Sequence, residues 1–283
     1  MNFLSKLPRN RLLLALPPRD LRRLMSYLEH VPCRREQILV EADSSLDHVF
    51  FPDSGVVSVM AVYSDGGTIE MATIGREGCA GVQAVFGTSK SSARYWVQIP
   101  GSATKISRAA FTRAVRQMPS FRNLVYAYVQ AFTDQILLSG ACNGAHGLKE
   151  RLARWLLMMR DRSDEDTLPI TQNLLAEMLG VQRPTITNAA RELERRGLIK
   201  RGRQEITILN RPGLMKASLN VISCFGRASL FIFPKRTSKK PVSQTLSVMY
   251  ITDRPLKAAH NTPAAGRLTL AREEWASVDT RHT

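Results

Sequence analysis

No apolar stretch in the sequence is long enough to cross a membrane. The two best candidates break early, Leu12–Leu16 at Pro17-Pro18 and Leu230–Phe233 at Pro234-Lys235, far short of the roughly 18 residues a span requires. The first is also too short, and too soon followed by arginines, for a secretory leader. Cysteine is scarce: Cys33, Cys79, Cys142 and Cys224 stand 46, 63 and 82 residues apart, with no Cys-x-x-Cys and no Cys-x-x-His. That spacing gives no local support to a zinc site or an iron–sulfur cluster, and idle thiols in a reducing cytosol are the expectation. Five scattered histidines assign no haem. Acidic residues are few as well, 24 against 40 Lys and Arg, for a formal charge of +16. These absences predict a soluble cytoplasmic protein with no membrane partner, no metal and no cofactor. The charge predicts a polyanionic partner.

What is present suits a folded protein of two domains: 283 residues, 44% apolar and 23% charged. The basic excess is not evenly spread. Residues 1–148 carry 16 basic and 11 acidic side chains, whereas the much shorter 149–216 carries 14 and 9, which doubles the charge density and points to nucleic acid there. Leu12, Leu13, Leu16, Leu21, Leu24 and Leu28 predict one or two short helices. Short β-like runs follow at Gln37–Val40, Val49–Phe51, Val56–Tyr63, Thr68–Ile74 and Tyr95–Ile99. They are separated by turn clusters such as Pro52-Asp53-Ser54-Gly55, the pattern of a sandwich or roll. Arg108–Met118 reads as a helix stopped by Pro119, and Phe121 to about Met159 as one long helix or two in series. Along it Leu124, Ala127, Ala131, Leu138, Ala141, Ala145 and Leu148 form a stripe of largely small residues. Such a stripe suits close helix pairing, either across a dimer or against the β-domain. Gly140, Gly144 and Gly147 weaken the helix there and mark a joint or a packing site.

Residues 169–209 carry the most chemistry. Thr171 is a good N-cap for a helix over 172–179, Gly180 ends it, and Val181-Gln182 turn into a second helix opened by Arg183-Pro184-Thr185. Two short helices about a glycine-containing turn make a helix-turn-helix. The runs Leu198–Arg201 and Glu205–Leu209 about Gly202-Arg203 add a hairpin, and so a wing. On the second helix Ile186, Ala189, Ala190 and Leu193 point inward, which leaves Arg183, Thr187, Asn188 and Arg191 outward. Arginine can pair with guanine and asparagine with adenine in the major groove, and both also bind phosphate. Gln172 and Gln182 flank this face. Thr171 and Thr185 sit at helix starts where phosphate oxygens bind, and Lys200, Arg201 and Arg203 on the wing can reach the flanking backbone.

The stretch 168–187, Leu-Pro-Ile-Thr-Gln-Asn-Leu-Leu-Ala-Glu-Met-Leu-Gly-Val-Gln-Arg-Pro-Thr-Ile-Thr, followed by Glu-Leu-Glu-Arg-Arg-Gly-Leu-Ile at 192–199, closely resembles the DNA-binding domain of the Crp/Fnr family of bacterial transcription regulators. Val49-Phe-Phe-Pro-Asp-Ser-Gly-Val-Val-Ser58 resembles that family's β-roll, and Arg151-Leu-Ala-Arg-Trp-Leu156 the end of its long helix. The resemblance runs from about Asn10 to Leu214. It implies an α+β fold: a cyclic-nucleotide-binding-like β-roll sensor domain with N-terminal helices over 1–118, a long dimerisation helix over 119–148 and a winged helix-turn-helix over 149–216. It implies a homodimer on a palindromic site in double-stranded DNA, with RNA polymerase a candidate further partner.

The effector is not identified. Family members that bind cyclic AMP carry a phosphate cassette reading approximately Gly-Glu-Leu-Gly and then Arg-Ser-Ala; here Gly78-Cys79-Ala80-Gly81 and Ala93-Arg94-Tyr95 stand instead. The ribose-binding glutamate is replaced by Cys79. Arg94 is one position from the family's arginine, and a single step along a strand turns a side chain to the other face. Tight cyclic-AMP binding is not expected. Glu77, Gly78, Cys79, Gly81, Arg94 and Tyr95 remain a candidate pocket for some other polar small molecule. Gly75-Arg-Glu-Gly78 lacks the Gly-Lys-Ser/Thr of a P-loop, and one nearby cysteine falls short of an oxygen-sensing cluster. Residues 217–283 change texture, with Lys235-Arg-Thr-Ser-Lys-Lys240 and no clear periodicity. The expectation is a disordered basic tail that adds nonspecific DNA affinity, or an extension without selected function. The leading expectation is a regulator, not an enzyme. Alternatives are a ligand-independent DNA binder whose sensor serves only dimerisation and, more remotely, an enzyme on the β-domain pocket, for which no nucleophile–base pair is visible.

Overall fold

Asn10 starts the chain's first helix and fastens it to the sheet behind. Its side chain accepts the Leu13 amide while its own amide donates to the Pro52 and Gly78 carbonyls, both at 2.9 Å. The computed structural model describes residues 7–163 and 165–218 as part of one unit; the expected basic tail, apart from residues 217 and 218, lies outside the described residues, as does Cys224. After α1 (Arg11–Leu14) and α2 (Pro18–Met25) come β1 (Glu29–Cys33), β2 (Ile38–Val40), β3 (His48–Val62), β4 (Thr68–Ile74) and β5 (Arg94–Ser107). They form one antiparallel sheet in the order β1-β5-β3-β4, with β2 also on β5.

The predicted turn at Pro52-Asp53-Ser54-Gly55 is not a turn. Val49–Phe51 and the predicted run from Val56, which ends at Val62 and not Tyr63, belong to one strand, β3, which bends through consecutive bulges against β5. Asp53 explains why a polar cluster stays in the sheet. Its buried carboxylate accepts the Arg9 and Asn10 amides and the Thr104 hydroxyl, at 2.6, 3.0 and 2.7 Å. Gly55, at φ +78°, lies so close to β5 that a Cβ would overlap the Ile99 carbonyl oxygen. The predicted strand Tyr95–Ile99 likewise continues, to Ser107.

The sensor core gathers Leu12, Leu13, Leu24, Leu46, Val49, Phe51, Ile74 and Ile106 under α3 (Arg108–Gln117) and the first turns of α4 (Pro119–Ala145). Phe111 sits between Phe51 and Phe121, at ring separations of 6.4 and 5.6 Å. The long helical segment is two helices in series. α4 ends where His146 turns extended, and α5 (Leu148–Ser163) begins after Gly147. Of the stripe, Leu124 is buried in the sensor core, whereas Ala141 and Ala145 are exposed. No helix among the described residues is long and apolar enough to cross a membrane.

A second, smaller sheet runs β6-β8-β7, from β6 (Thr167–Leu168), β7 (Ile199–Arg201) and β8 (Ile206–Ile208), with α6 (Gln172–Met178), α7 (Arg183–Arg195) and α8 (Arg211–Ala217) around it. The hairpin β7–β8 is the expected wing, and β6 is a third strand that the sequence did not announce. The core here holds Leu152, Trp155, Leu156, Leu175, Ile186, Leu193, Ile206 and Leu214, but also Val56, Met60 and Ile99 from the sensor strands. A single apolar cluster therefore bridges the sheet and the helix-turn-helix.

Candidate nucleic-acid interface

The turn between α6 and α7 follows the local chemistry of its residues. Thr171 Oγ1 accepts the Leu174 amide at 3.2 Å and caps α6. Gly180 takes φ +62°, a conformation that costs other residues. Gln182 precedes α7, and Pro184 occupies its first turn, where no amide hydrogen is needed. Ile186, Ala190 and Leu193 are buried. Gln182, Arg183, Thr185, Asn188 and Arg191 are exposed together at the other side of the same helix.

These exposed groups differ in how committed they are. Arg183 has no side-chain partner among the described residues. Arg191 Nη1 donates to Asn188 Oδ1 at 3.3 Å, which orients the Asn188 amide and leaves its N–H groups available. Thr187 behaves otherwise. It is half-buried, and its one hydroxyl hydrogen lies between Gln172 Oε1 at 2.6 Å and the Arg183 carbonyl at 2.9 Å. Thr187 and Gln172 thus tie α7 to α6 instead of facing outward freely, as their spacing had predicted for Thr187.

On the wing, Lys200 and Arg203 are exposed. Arg201 is bound back to α7, with 2.6 Å between its guanidinium and Glu194 and its amide 2.9 Å from the same carboxylate. Hydrogen bonds from the Arg201 amide and side chain hold the Glu194 carboxyl below its ordinary value. The wing is therefore braced on the helix it flanks, and two of its three cations remain outward.

The sensor residues do not converge in the same way. Glu77 faces α5, 2.8 Å from Arg162, and also accepts the Gly75 amide. Gly78 is covered by Tyr128 of α4 so closely that a Cβ would overlap the ring, and the Tyr128 hydroxyl donates to the Cys79 carbonyl at 3.1 Å. Cys79 is fully buried, and burial raises its thiol well above the ordinary range. Gly81, at φ +87°, leads into a short 3-10 turn, Val82–Phe86. Arg94 turns to Glu41, at 2.7 Å, and its hydrogen bond holds that carboxyl low. Tyr95 donates to Gln83 at 2.8 Å, and burial pushes its hydroxyl up to about 12. The polar groups of this loop are spent on the fold itself.

Sequence reasoning missed the residues that join the sensor to the helix-turn-helix. Trp155 Nε1 donates to Glu70 at 2.7 Å, Arg35 donates to the Pro169 carbonyl at 2.9 Å and Thr68 donates to Glu177 at 2.9 Å. The partners are 85 to 134 positions apart, so no local spacing signals them.

Residues 150–217 match the family of Crp-like helix-turn-helix domains, and residues 30–118 match the family of cyclic nucleotide-binding domains. No curated protein matches the sequence. Among solved structures, FixK2 from Bradyrhizobium japonicum is similar at a TM-score of 0.59 and 18% identity, over 67% of this chain and 96% of that one. A Crp/Fnr-family transcriptional regulator from Thermus thermophilus gives 0.55 and 20%, over 67% and 98%. The c-di-GMP-responsive global regulator CLP from Xanthomonas campestris gives 0.58 and 12%, over 68% and 99%.

Proposed function

The chain belongs to the Crp/Fnr family of DNA-binding transcription regulators, and from that premise we propose that it works as a homodimer that lays one α7 from each subunit into the major groove of a palindromic site. The observation that carries this reading is the uncommitted outer face of α7. Arg183 is unpaired among the described residues, Asn188 is oriented by Arg191, and all three are exposed opposite a buried apolar face. Arg183 and Asn188 read base edges, while Thr185, Lys200 and Arg203 hold flanking phosphates. Thr171, Gln172 and Thr187 keep the two helices in register behind them.

Pairing of two copies is supported by the side of α4 that the sensor leaves uncovered. Tyr126 and Leu137 are 51% and 58% exposed, and Gly140 and Gly144 face open space where a side chain would stand. Such a surface admits a second helix at close range. The protein acts in the cytoplasm, where RNA polymerase is its further partner at a promoter.

A ligand-independent mode of action is favoured by the sensor loop. Arg94 is held by Glu41, Glu77 by Arg162, and Tyr128 lies over Gly78. The test is selection of bound sequences from a random duplex library by the full chain, with no ligand added. The expected result is an inverted repeat with half-sites about one helical turn apart, unaltered by cyclic AMP. Binding that is salt-sensitive but sequence-blind overturns specific recognition, and enrichment only with a cyclic nucleotide overturns ligand independence.

A further inference from the structure

Glu70 is a buried carboxylate at the joint between the sensor and the helix-turn-helix. It lies on β4, and both of its oxygens are used: Oε1 accepts Trp155 Nε1–H at 2.7 Å, and Oε2 lies 2.6 Å from Ser58 Oγ. Ser58 belongs to β3, whereas Trp155 belongs to α5 and to the apolar cluster shared by the sheet and the DNA-binding module. Nothing in the DNA interface or the sensor loop uses this group.

The hydrogen count around Ser58, together with burial at the joint, favours the neutral acid. Ser58 has one hydroxyl hydrogen, and its Oγ is also 3.1 Å from Gln98 Oε1. With Glu70 ionised, two buried acceptors compete for that single hydrogen. With the Gln98 oxygen towards Ser58, a neutral Glu70 donates to Ser58, Ser58 donates onward to Gln98, and Trp155 donates to the remaining carboxyl oxygen. Each of these three hydrogens then has its own acceptor, while the Gln98 amide nitrogen has none among the described residues. The surrounding charges do not replace the missing proton. β3 and β5 present only the neutral Ser58 and Gln98. α5 presents Arg154, whose guanidinium reaches Ser139 at 3.4 Å and the Met158 sulfur at 3.1 Å, and Arg162, which is paired with Glu77 and also donates to Gln135 of α4. Neither arginine donates to Glu70, and an unpaired buried charge is costly.

We propose that Glu70 takes up a proton when the DNA-binding module docks on the sensor sheet, so that the joint is a pH-sensitive latch on the orientation of α7. Burial pushes this carboxyl up to about 7, against opposing contributions from Ser58, Trp155, Arg154 and Arg162. Its ordinary value is about 4.3. The docked state is therefore favoured fully in acid, and that preference declines as pH rises from the ordinary carboxylate range through about 7. Between pH 6 and 8 the docking equilibrium constant falls about tenfold. The consequence for DNA rests on the function proposed above, but the latch itself does not.

The test uses the full chain with Trp96→Phe and Trp275→Phe, which leaves Trp155 as the only tryptophan. Acrylamide quenching of its emission is followed from pH 5 to 9, with Glu70 intact and with Glu70→Gln, whose amide copies the neutral acid. Quenching is expected to rise through neutral pH with Glu70 and to stay low and flat with Glu70→Gln. An equal pH response in both proteins, or none in either, overturns the proposal. A carboxyl 13C titration of the wild-type chain keeps the test open if the variant does not fold. One carboxyl titrating near 7 supports the latch. None above 5 overturns it and places the Gln98 amide nitrogen, not its oxygen, towards Ser58. The library selection repeated at pH 6 and 8 separates the two ideas: sequence-blind binding with an intact Trp155 titration removes the regulator reading and keeps the latch.

Discussion

The outer face of α7 and the loop from Gly75 to Tyr95 are both polar surfaces laid on an apolar core, yet they dispose of their hydrogen-bonding groups in opposite ways. On α7 the guanidinium of Arg183 and the amide hydrogens of Asn188 are left over after the fold is made. In the sensor loop Glu77 and Arg94 are taken by other parts of the chain, Tyr95 is bound to Gln83 within the loop, and Tyr128 closes over Gly78. A surface that binds must keep donors and acceptors uncommitted, because a ligand that displaces an internal hydrogen bond gains only the difference between the two. The contrast lies in bond partners, since both segments carry arginines and glycine turns lie in or beside both.

Five substitutions sharpen or break that contrast. The largest effect belongs to the inner face of α7. Leu193→Ala, at a fully buried position, should cost about 2–5 kcal/mol of stability, read from urea denaturation, and DNA binding should fall only as the folded fraction falls. Next, Gly78→Ala should destabilise by about 1–3 kcal/mol, because the new methyl must displace a buried Tyr128 ring. An unchanged denaturation midpoint would show that the loop yields easily and is not closed. Arg183→Ala should leave stability unchanged while it weakens binding to the selected site by roughly 1–3 kcal/mol and relaxes one base preference; Lys200→Ala should weaken all sequences alike and lower the salt slope by about 1. Equal losses on matched and mismatched duplexes for both variants would remove the division into reading and anchoring residues. The smallest effect is expected from Arg94→Ala, which breaks a half-exposed pair with Glu41 worth at most about 1 kcal/mol. DNA affinity with and without cyclic AMP should be unaffected, and a gain or loss of nucleotide response would reopen the sensor pocket.

The DNA-binding half was the more legible of the two in sequence. Thr171, Gly180, Pro184 and Gly197 punctuate short helices whose apolar positions recur within a few residues, so capping and periodicity suffice to find them. The outward group was also readable, except for Thr187. Its hydroxyl has a choice between bonds to α6 and to its own helix, and spacing along one helix does not reveal a neighbour on another. In the sensor, Pro52-Asp53-Ser54-Gly55 carries the composition of a turn but lies in a bent strand. What keeps it there is Thr104 and the amides of Arg9 and Asn10, all remote in the chain.

By itself the sequence determined the succession of N-terminal helices, β-domain and long helical segment, the helix-turn-helix and its charge, and the family they resemble, because these depend on capping, periodicity and residue type over a few turns of chain. Tertiary structure alone decided which polar groups remain available, how β3 bends, and that Glu70 meets Trp155 across the joint. Those outcomes depend on partners brought from elsewhere in the chain, 43 to 51 positions away for Asp53 and 85 for Glu70, and on burial, which sets whether a carboxyl keeps its charge or its proton.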